Sequence, residues 1–229
     1  MDIVEAIRQR RSVRGYKPED VPEDILREII ETAQRAPSWA NTQPWEFAIV
    51  RGEKLEAIRG AFVEKTREAE PTNPDLAAPK GFPEPFDGRR RSVGRKLFEI
   101  MGIEREDREK RIWWGLQGLR LFDAPVVIYI YTDRAFYSQE EGLNVWPVFD
   151  CGLVAENIML LAVKQGLGTI PAIQAVMYPD VIREILGIPE SKLIVLGIVI
   201  GYPDQQSTVN QFYSEREPLD AITRWYGFD

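Results

Sequence analysis

The sequence predicts an α+β layer fold in which helices cover a central sheet. Two short β-branched runs, Val126–Tyr131 and Leu193–Ile200, are separated by helical segments without the regular alternation of a parallel α/β fold. Neither a G-x-G-x-x-G nor a Walker A pattern is present, so a dinucleotide-binding doubly wound fold and a P-loop have no support. The 229 residues, 44% of them hydrophobic, allow one large domain or two small ones.

The first predicted element with clear boundaries is a helix that begins at Pro22 and ends at Pro37. Glu23 and Asp24 lie in its first turn, where acidic side chains suit the positive end of the helix dipole. Its apolar face is formed by residues at helical spacing: Leu26, Ile29, Ile30 and Ala33.

The middle of the chain contains the least regular segment. A predicted buried strand at Trp45–Val50 and an amphipathic helix at Glu53–Glu68 come first. Pro71–Gly88 then holds five prolines and two glycines, which is typical of a long excursion, either a domain linker or a lid. The basic run Arg89–Arg91 fits a solvated face or a 2′-phosphate or carboxylate partner, and it leads into charged helices at Ser92–Leu121.

The last third combines two central strands with one long apolar helix. The runs Val126–Tyr131 and Leu193–Ile200 adjoin turn residues and predict the central strands. Between them, Pro147–Gln165 is apolar on most faces, so we expect it to be buried on several sides, as a dimer interface would do. Gly166 ends this helix. The tail after Pro203 is polar with interspersed aromatic residues, and we expect it to pack on another surface.

Composition narrows the classes of function. The net charge of −7 gives no overall attraction to nucleic acid or to an anionic membrane, which leaves small molecules or a second copy of the chain as partners. Because there is no histidine and one cysteine, histidine-dependent catalysis is excluded and no metal site is expected. The lone Cys151 and the charged amino terminus favour a reducing cytoplasm. The longest apolar runs fall short of the roughly 20 residues that span a bilayer.

Demanding chemistry would then come from a bound organic cofactor, and the first segment suited to binding one lies near the amino terminus. Guanidinium groups there surround a hydroxyl within seven residues, a combination that suits a phosphate. Its members are Arg8, Arg10, Arg11, Ser12 and Arg14. The alternative is the solvated basic end of a helix.

The second segment is the loop Ala36–Phe47. Two prolines fix its backbone, while Ser38, Asn41 and Gln43 project hydrogen-bonding groups beside tryptophans. This combination suits a planar heterocycle with polar edges. The alternative is an ordinary helix stop and loop before a strand.

Two later segments complete the set. Gly166–Ile173 contains two glycines, which bring bare backbone close to a ligand or simply make a turn between helix and strand. Arg216 supplies a distant positive charge for the same ligand, or is a surface arginine.

Taken together and in this order, these segments resemble the nitroreductase family of FMN enzymes. Arg10–Tyr16 resembles the family's R-x-S-x-[RK] phosphate motif, and Pro37–Trp45 resembles its P-S-x-x-N-x-Q-P-W motif. Asp150–Pro171 is similar to its long central helix and following glycine turn, and Arg216 lies where the family keeps a phosphate-binding basic residue. The resemblance spans nearly the whole chain, and only Pro71–Leu121 departs from it.

The resemblance implies a single domain over residues 1–229 with a central mixed or antiparallel sheet flanked by helices, in an intertwined homodimer. Residues 71–121 would form a variable lid or insert region, and residues 203–229 a tail that packs on the partner.

The resemblance also implies roles in binding FMN. Arg10, Ser12 and Arg216 would hold the phosphate, with Arg11 alongside. Arg14 would face the pyrimidine edge of the flavin, where a cation offsets the negative charge of the reduced ring. The partner subunit would contribute Pro37, Ser38, Trp39, Asn41 and Gln43. Pro171, Ala172 and Ile173 would lie against the ring near flavin N5, and the backbone N–H groups of Ala172 and Ile173 would be donors there, since proline has none.

The implied activity is two-electron ping-pong transfer from NADPH or NADH through the flavin to an electron-poor acceptor. A nitroaromatic acceptor would pass through nitroso to hydroxylamine. No catalytic side chain is required, because the protein stacks both reactants in turn on one flavin face. Acceptor contacts are expected among aromatic residues, although a tryptophan pair on a helix also suits a core: Trp39, Phe82, Phe86, Trp113 and Trp114.

Several alternatives stay open at this point. A quinone or enal reductase, a free-flavin reductase and a flavin-destroying enzyme of cobalamin lower-ligand synthesis share the family pattern. A reductive dehalogenase of iodotyrosine is disfavoured, because no lid tyrosine occurs between Tyr16 and Tyr129. A non-catalytic flavin-binding module and a flavin-free interaction protein are the alternatives outside enzymology. The sequence also leaves open NADH against NADPH and the natural acceptor.

Overall fold

A four-stranded antiparallel sheet forms the centre of the chain in the computed structural model, which describes residues 1–138 and 142–228. The strands are β1 (Glu46–Arg51), β2 (Val126–Asp133), β3 (Tyr137–Ser138), β4 (Gly142–Leu143), β5 (Gly168–Ala172) and β6 (Lys192–Gly201). The large sheet has the order β1-β2-β6-β5, with every neighbouring pair antiparallel, and β3 pairs with β4 separately. The α+β fold with a central antiparallel sheet is confirmed.

Helices cover both faces of this sheet. They are α1 (Ile3–Gln9), α2 (Glu23–Ala33), α3 (Gly52–Arg67), α4 (Phe86–Met101), α5 (Arg108–Leu119), α6 (Val145–Lys164), α7 (Pro179–Leu186) and α8 (Leu219–Ile222). The boundary signals for two of them are confirmed. Pro22 caps the amino terminus of α2, and Gly166, with φ +74°, follows the carboxyl end of α6.

The core lies on both sides of the sheet, and this explains why β2 and β6 are continuous β-branched runs. Alternate residues of a strand point to opposite faces. Val127 and Tyr129 of β2 therefore enter one cluster with α3 and α7, while Val126 and Ile128 enter the other with α2 and α6. Because both faces are buried, the predicted runs Val126–Tyr131 and Leu193–Ile200 are apolar within these strands, and both strands are central, as predicted.

Helix α6 is the central helix of the second cluster. By length and composition alone it is long and apolar enough to cross a bilayer, which differs from the expectation that no apolar segment reaches that length. In the fold it packs against α2, α1 and β5, and eight of its residues are buried. Its amino-terminal turns leave Val145, Trp146 and Phe149 more than half exposed.

Three expectations about local structure are wrong. The helix that begins at Pro22 was expected to end at Pro37, but α2 ends at Ala33 and residues 34–36 form a turn before the proline. The strand at Trp45–Val50 was expected to be buried, but β1 is an edge strand and only its Val50 is buried, while Ile49 is exposed. The excursion was expected to reach Gly88, but Phe86 is already the first residue of α4. Proline at the preceding position hides this helix start in the sequence, because Pro85 extends the proline-rich composition up to the first turn.

The proline-rich segment has an anchored part and an exposed part. The Asn73 backbone N–H donates to the Met177 carbonyl at 3.0 Å. Asp75 accepts from Arg183 Nη2 at 2.5 Å, from Arg134 Nη2 at 3.2 Å and from the Ile194 backbone N–H at 2.7 Å. Residues 77–86 that follow are all exposed. A free linker is therefore excluded for the first part of the segment.

Candidate functional site

The amino-terminal arginine motif lies beside strand β5. Helix α1 ends at Arg10, and the chain then runs extended, with a parallel bridge between Ser12 and Thr169. The Val13 N–H donates to the Thr169 carbonyl at 2.9 Å. A Cβ on Gly168 would lie 2.6 Å from Val13 Cγ2, so this close approach requires glycine. The structure thus brings the first and third predicted segments together.

A buried asparagine of the tail clamps the same motif. Asn210 is 5% exposed, and its Oδ1 accepts from the backbone N–H groups of Arg14 at 2.9 Å and Gly15 at 3.2 Å. Its Nδ2 donates to the carbonyls of Gly15 at 2.7 Å and Asp204 at 3.0 Å. Sequence reasoning missed Asn210, because its partners are 195 and 196 positions away and no local pattern marks it.

Two guanidinium groups of this motif, those of Arg11 and Arg14, are partly buried without a nearby carboxylate among the described residues. Burial lowers the pKa of Arg14, whose Nη1 donates only to the Ser12 carbonyl at 3.3 Å. Burial also lowers the pKa of Arg11, whose guanidinium stacks on the Tyr213 ring at 4.3 Å. Within residues 1–138 and 142–228, neither side chain has a carboxylate oxygen within 4.0 Å. Such cations are ready to bind an anion.

Two buried polar atoms next to this motif also lack a partner among the described residues. They are Arg11 Nε and Thr169 Oγ1, the second on the strand that the motif bridges. Arg10 is less free, since its Nε lies 3.8 Å from the Glu156 carboxylate. Buried polar atoms of Arg59, Tyr129, Thr132 and Arg183 also lack a partner among the described residues. Arg11 Nε and Thr169 Oγ1 are candidates for a ligand contact because they lie beside the arginine motif.

The loop of the second segment is strained and points outward. Ala40, Asn41 and Gln43 have φ of 50°, 58° and 47°, the left-handed region that residues with a side chain rarely adopt. Two contacts hold it there. The Gln43 N–H donates to Ser38 Oγ at 2.9 Å, and the Trp39 N–H donates to Oδ2 of the buried Asp150 at 3.1 Å.

The structure does not bring this loop to the arginine motif of the same chain. Its Ser38–Gln43 backbone contacts α6 through Asp150, whereas Ser12 and Arg14 contact β5 and the tail. Asn41 and Gln43 are exposed, and Trp39 is 62% exposed. The loop is therefore free to serve a second copy of the chain.

The third segment presents alternate residues of an edge strand. Pro171 and Ile173 are exposed, while Ala172 between them is buried in the first core cluster. Ile173 begins a short 3₁₀ turn that packs on α5, where Gln174 approaches Gly118. The exposed side of β5 thus continues from Ser12 toward α5.

Arg216 lies in a different groove, between α4 and the tail. Its Nη1 donates to Ser214 Oγ at 2.8 Å and to nearby carbonyls, and no contact in the described part of the chain joins it to Arg10 or Ser12. Two ion pairs tie the tail to α4: Arg89 with Glu217 at 2.8 Å and Lys96 with Glu215 at 2.5 Å. The basic run is thus mainly paired, since Arg90 and Arg91 also contact acidic residues of α4 and Glu84.

The predicted acceptor contacts fall into separate places. Phe82 is 48% exposed in the excursion, and Phe86 is 52% exposed on α4, stacked near Arg89. Trp113 is half exposed on α5, while its neighbour Trp114 turns inward toward Phe122. Only Trp39 adjoins the strained loop.

Comparison with known proteins places this geometry in context. A family model described as "Nitroreductase family" matches residues 7–202. The chain is similar to the chloronitrobenzene nitroreductase of Comamonas testosteroni, with 33% identity over 225 residues that cover 96% of this chain and 95% of that protein. It is 27% identical to the 4-nitrobenzoate reductase of Pseudomonas putida over 228 residues, covering 100% and 97%. Its fold matches the FMN and NADPH-dependent nitroreductase NfnB from Sphigopyxis sp. strain HMH with a TM-score of 0.92, 33% identity and full coverage of both chains.

Proposed function

The chain belongs to the nitroreductase family, and from that membership we propose that it is an FMN-dependent NAD(P)H oxidoreductase that reduces nitroaromatic or related electron-poor acceptors. The observation that carries the proposal is the pair of partly buried guanidinium groups, Arg11 and Arg14, held without a carboxylate in the described chain. A cofactor that carries both a phosphate and a ring with developing negative charge suits such a place.

The residues present fit FMN. The buried atoms Arg11 Nε and Thr169 Oγ1 have no hydrogen-bond partner among the described residues and can bond to a ligand. Gly168 allows the backbone of β5 to lie close to the arginine motif. We propose that Arg10, Ser12 and Arg216 hold the phosphate and that Arg14 lies at the pyrimidine edge. Arg216 would reach the phosphate from the tail groove.

The other face of the site would come from the partner subunit. Pro37, Ser38, Trp39, Asn41 and Gln43 lie on the strained outward loop. In the same subunit as the arginine motif, Pro171 and Ala172 end strand β5, and Ile173 begins the turn that follows it. Bound FMN would supply the two-electron chemistry, accepting hydride from NAD(P)H and passing it to the acceptor. A nitro group that gains two electrons and two protons loses water to give a nitroso group, and two more of each give a hydroxylamine.

The chain's own residues would orient these reactants. Arg14, whose backbone is held by Asn210, would stabilise negative charge at the edge of the flavin ring. Aromatic side chains would stack NAD(P)H and the acceptor in turn at one place, as ping-pong kinetics requires. No side chain needs to transfer a proton at a fixed position.

We propose a homodimer as the working unit, built from a single domain over residues 1–229 with the insert at 71–121 and the tail at 203–229. Apolar side chains on α1 and in the tail are more than half exposed in one chain, as expected of surfaces that a second copy covers. An obligate interface of this kind buries more than about 2,000 Å². Light scattering that shows an active, FMN-loaded monomer would contradict this. A cytoplasmic location also belongs to the proposal, in line with the free thiol of Cys151.

The test is the visible spectrum of the purified protein before and after NAD(P)H without oxygen, followed by an acceptor panel. We expect a yellow protein with one noncovalent FMN per subunit, bleached by NAD(P)H and reoxidised by nitrobenzene. Colourless protein that ignores added FMN in calorimetry would contradict the proposal. If a quinone or free flavin reoxidises the bleached protein and nitrobenzene does not, the activity is that of a quinone or free-flavin reductase of the same family.

Substitutions in the arginine motif sharpen this test. Arg10→Ala and Arg216→Ala should each weaken FMN binding by about 1.5–3 kcal/mol, because each removes charge-assisted hydrogen bonds to a phosphate. The measurement is a fluorescence titration of the apoprotein with FMN. Unchanged affinity in Arg216→Ala alone would remove Arg216 from the phosphate site and leave the other assignments in place.

A further inference from the structure

A cavity of about 400 Å³ opens beside the strained loop, at the amino-terminal end of α6. Its walls are Pro37, Ser38, Trp39, Trp146, Phe149, Asp150 and Leu153. Its volume lies within the range of small-molecule sites. Trp146 and Phe149 were not among the acceptor contacts expected from the sequence.

Three aromatic rings line this tryptophan cavity in a chain of edge contacts. The rings of Trp39 and Trp146 have centroids 5.9 Å apart, and those of Trp146 and Phe149 are 6.0 Å apart with an interplanar angle of 82°. The three side chains are 62%, 51% and 57% exposed, so much of their ring surface is available. The face of an indole is electron-rich, and it therefore attracts the electron-poor face of a nitro-substituted ring.

The rings are held on a rigid support. The Trp39 backbone is fixed to α6 by its N–H donation to the buried Asp150, and the turn around it is strained. Trp146 and Phe149 are three residues apart on one face of α6, where Asn144 caps the helix by accepting from the Trp146 N–H at 3.1 Å. The backbone positions that carry the rings are thus set before any ligand binds.

The charge of the cavity is of one sign. Asp150 is the only charged residue among the seven that line it, and no arginine or lysine of the same subunit lines it. A carboxylate on the ligand would therefore enter next to Asp150 without a cation to offset the repulsion. A neutral ring meets no such penalty.

We propose that the tryptophan cavity binds the aromatic acceptor and selects neutral, electron-poor rings over carboxylated ones. The inference rests on the proposed function and deepens it: nitrobenzene-like acceptors fit this chain, and 4-nitrobenzoate does not. The loop that supplies Trp39 is the one proposed to reach the neighbour's flavin, so the cavity adjoins the place where electrons are delivered. That continuity favours a small aromatic ligand as the occupant over a segment of the partner subunit.

The experiment compares acceptors on the FMN-loaded dimer. We expect wild type to have a higher kcat/KM for nitrobenzene than for 4-nitrobenzoate. Trp146→Leu should lower kcat/KM for nitrobenzene about three- to tenfold, with little effect on ferricyanide, a non-aromatic acceptor. Trp146→Phe keeps an aromatic ring and should retain most of the activity. Asp150→Asn keeps the acceptor for Trp39 N–H and should raise kcat/KM for 4-nitrobenzoate relative to nitrobenzene about fivefold.

A second readout does not depend on turnover. Calorimetry of nitrobenzene binding to the oxidised protein, without NAD(P)H, should show an affinity that falls in Trp146→Leu and in Phe149→Leu. If Trp146→Leu does not fold, Phe149→Leu and Trp146→Phe carry the same comparison. Trp113→Leu is the discriminating variant, because Trp113 lies on α5 away from the cavity.

The outcomes separate the two proposals. Wild type that reduces no nitroaromatic overturns the proposed function, and this proposal with it. Wild type that reduces nitrobenzene, with Trp146→Leu and Phe149→Leu unchanged in both kinetics and calorimetry, overturns the cavity assignment alone. The same holds if Trp113→Leu carries the loss, if 4-nitrobenzoate is preferred by wild type, or if Trp146→Leu turns monomeric, which would make the cavity a subunit contact.

Discussion

Two regions of this chain hold arginine side chains that are fully or partly buried, and they treat the charge in opposite ways. Arg183 is 8% exposed and lies 2.5 Å from the Asp75 carboxylate, which is itself 8% exposed and also contacts Arg134. Arg11 and Arg14 are also withdrawn from water, yet the described chain offers them an aromatic ring and a carbonyl rather than a carboxylate. In the first region, the Asp75 cluster, both arginines have a carboxylate partner. In the second, the arginine motif, Arg11 and Arg14 have none among the described residues.

The difference teaches where to look for a ligand. Burial of a charge is costly unless a counter-charge is near, so a fold keeps an uncompensated cation only where something else supplies the anion. The Asp75 cluster fixes the excursion to α7 and β6, and both of its arginines, Arg134 and Arg183, lie beside the same carboxylate. The arginine motif is held in place by hydrogen bonds to its backbone from Asn210, which leaves the guanidinium groups for a ligand.

Removing Asp75 from its ion cluster should have the largest effect on stability. Asp75→Ala leaves Arg183 buried without its partner and removes the acceptor of the Ile194 N–H, so the free energy of unfolding should fall by about 3–5 kcal/mol. Urea unfolding of the FMN-free protein measures this. The matched control is Glu190→Gln, which removes an 84% exposed partner of the same Arg183 and should change stability little. Equal losses in the two variants would contradict the comparison.

Removing a cation from the arginine motif should lower the affinity for FMN without lowering the stability of the apoprotein. Arg14→Gln takes away a desolvated charge, so unfolding of the apoprotein should stay the same or shift to higher urea. FMN affinity should fall by about 1.5–3 kcal/mol, and the flavin midpoint potential should move to more negative values, because the reduced ring loses a nearby cation. A large loss of apoprotein stability would show that Arg14 is structural, like Arg183.

Removing the clamp should affect both properties, each by a smaller amount. Asn210→Ala leaves the N–H groups of Arg14 and Gly15 without their acceptor, which should cost about 1–3 kcal/mol of stability. FMN affinity should fall in parallel, because the position of Arg14 is no longer fixed. Gln211→Ala, at the exposed neighbouring position, is the control and should change neither. A stability loss with unchanged FMN affinity and potential would make Asn210 purely structural.

Local sequence patterns predicted those elements whose structure depends mainly on their own residues. Alternating burial makes β2 and β6 apolar on both faces, and Pro22 and Gly166 mark helix ends by their backbone preferences. The burial of Trp45–Val50 was predicted wrongly, because a strand's position at the sheet edge depends on its neighbours and not on its own residues.

The candidate site was predicted in pieces. The arginine motif and the Gly166–Ile173 segment were both identified, but only the bridge between Ser12 and Thr169 shows that they meet. Asn210 and Asp75 look like ordinary polar residues of a tail and of a proline-rich loop. Their partners come from distant parts of the chain, so no local pattern could reveal them.

The smallest expected effect concerns the exposed part of the excursion beyond the Asp75 anchor. Phe82 lies within the exposed stretch 77–86, and Phe86 begins α4, so their removal should cost little stability. If this part gates the acceptor, Phe82→Ala and Phe86→Ala should alter kcat/KM for nitroaromatics while FMN content and the rate of flavin reduction by NAD(P)H stay nearly unchanged. Half-reaction measurements with two acceptors of different size decide it, because ping-pong kinetics separates the two steps. Equal loss toward both acceptors would remove the excursion from specificity and leave selection to the tryptophan cavity, whereas a size-dependent loss would show that entry past Phe82 and Phe86 contributes to it.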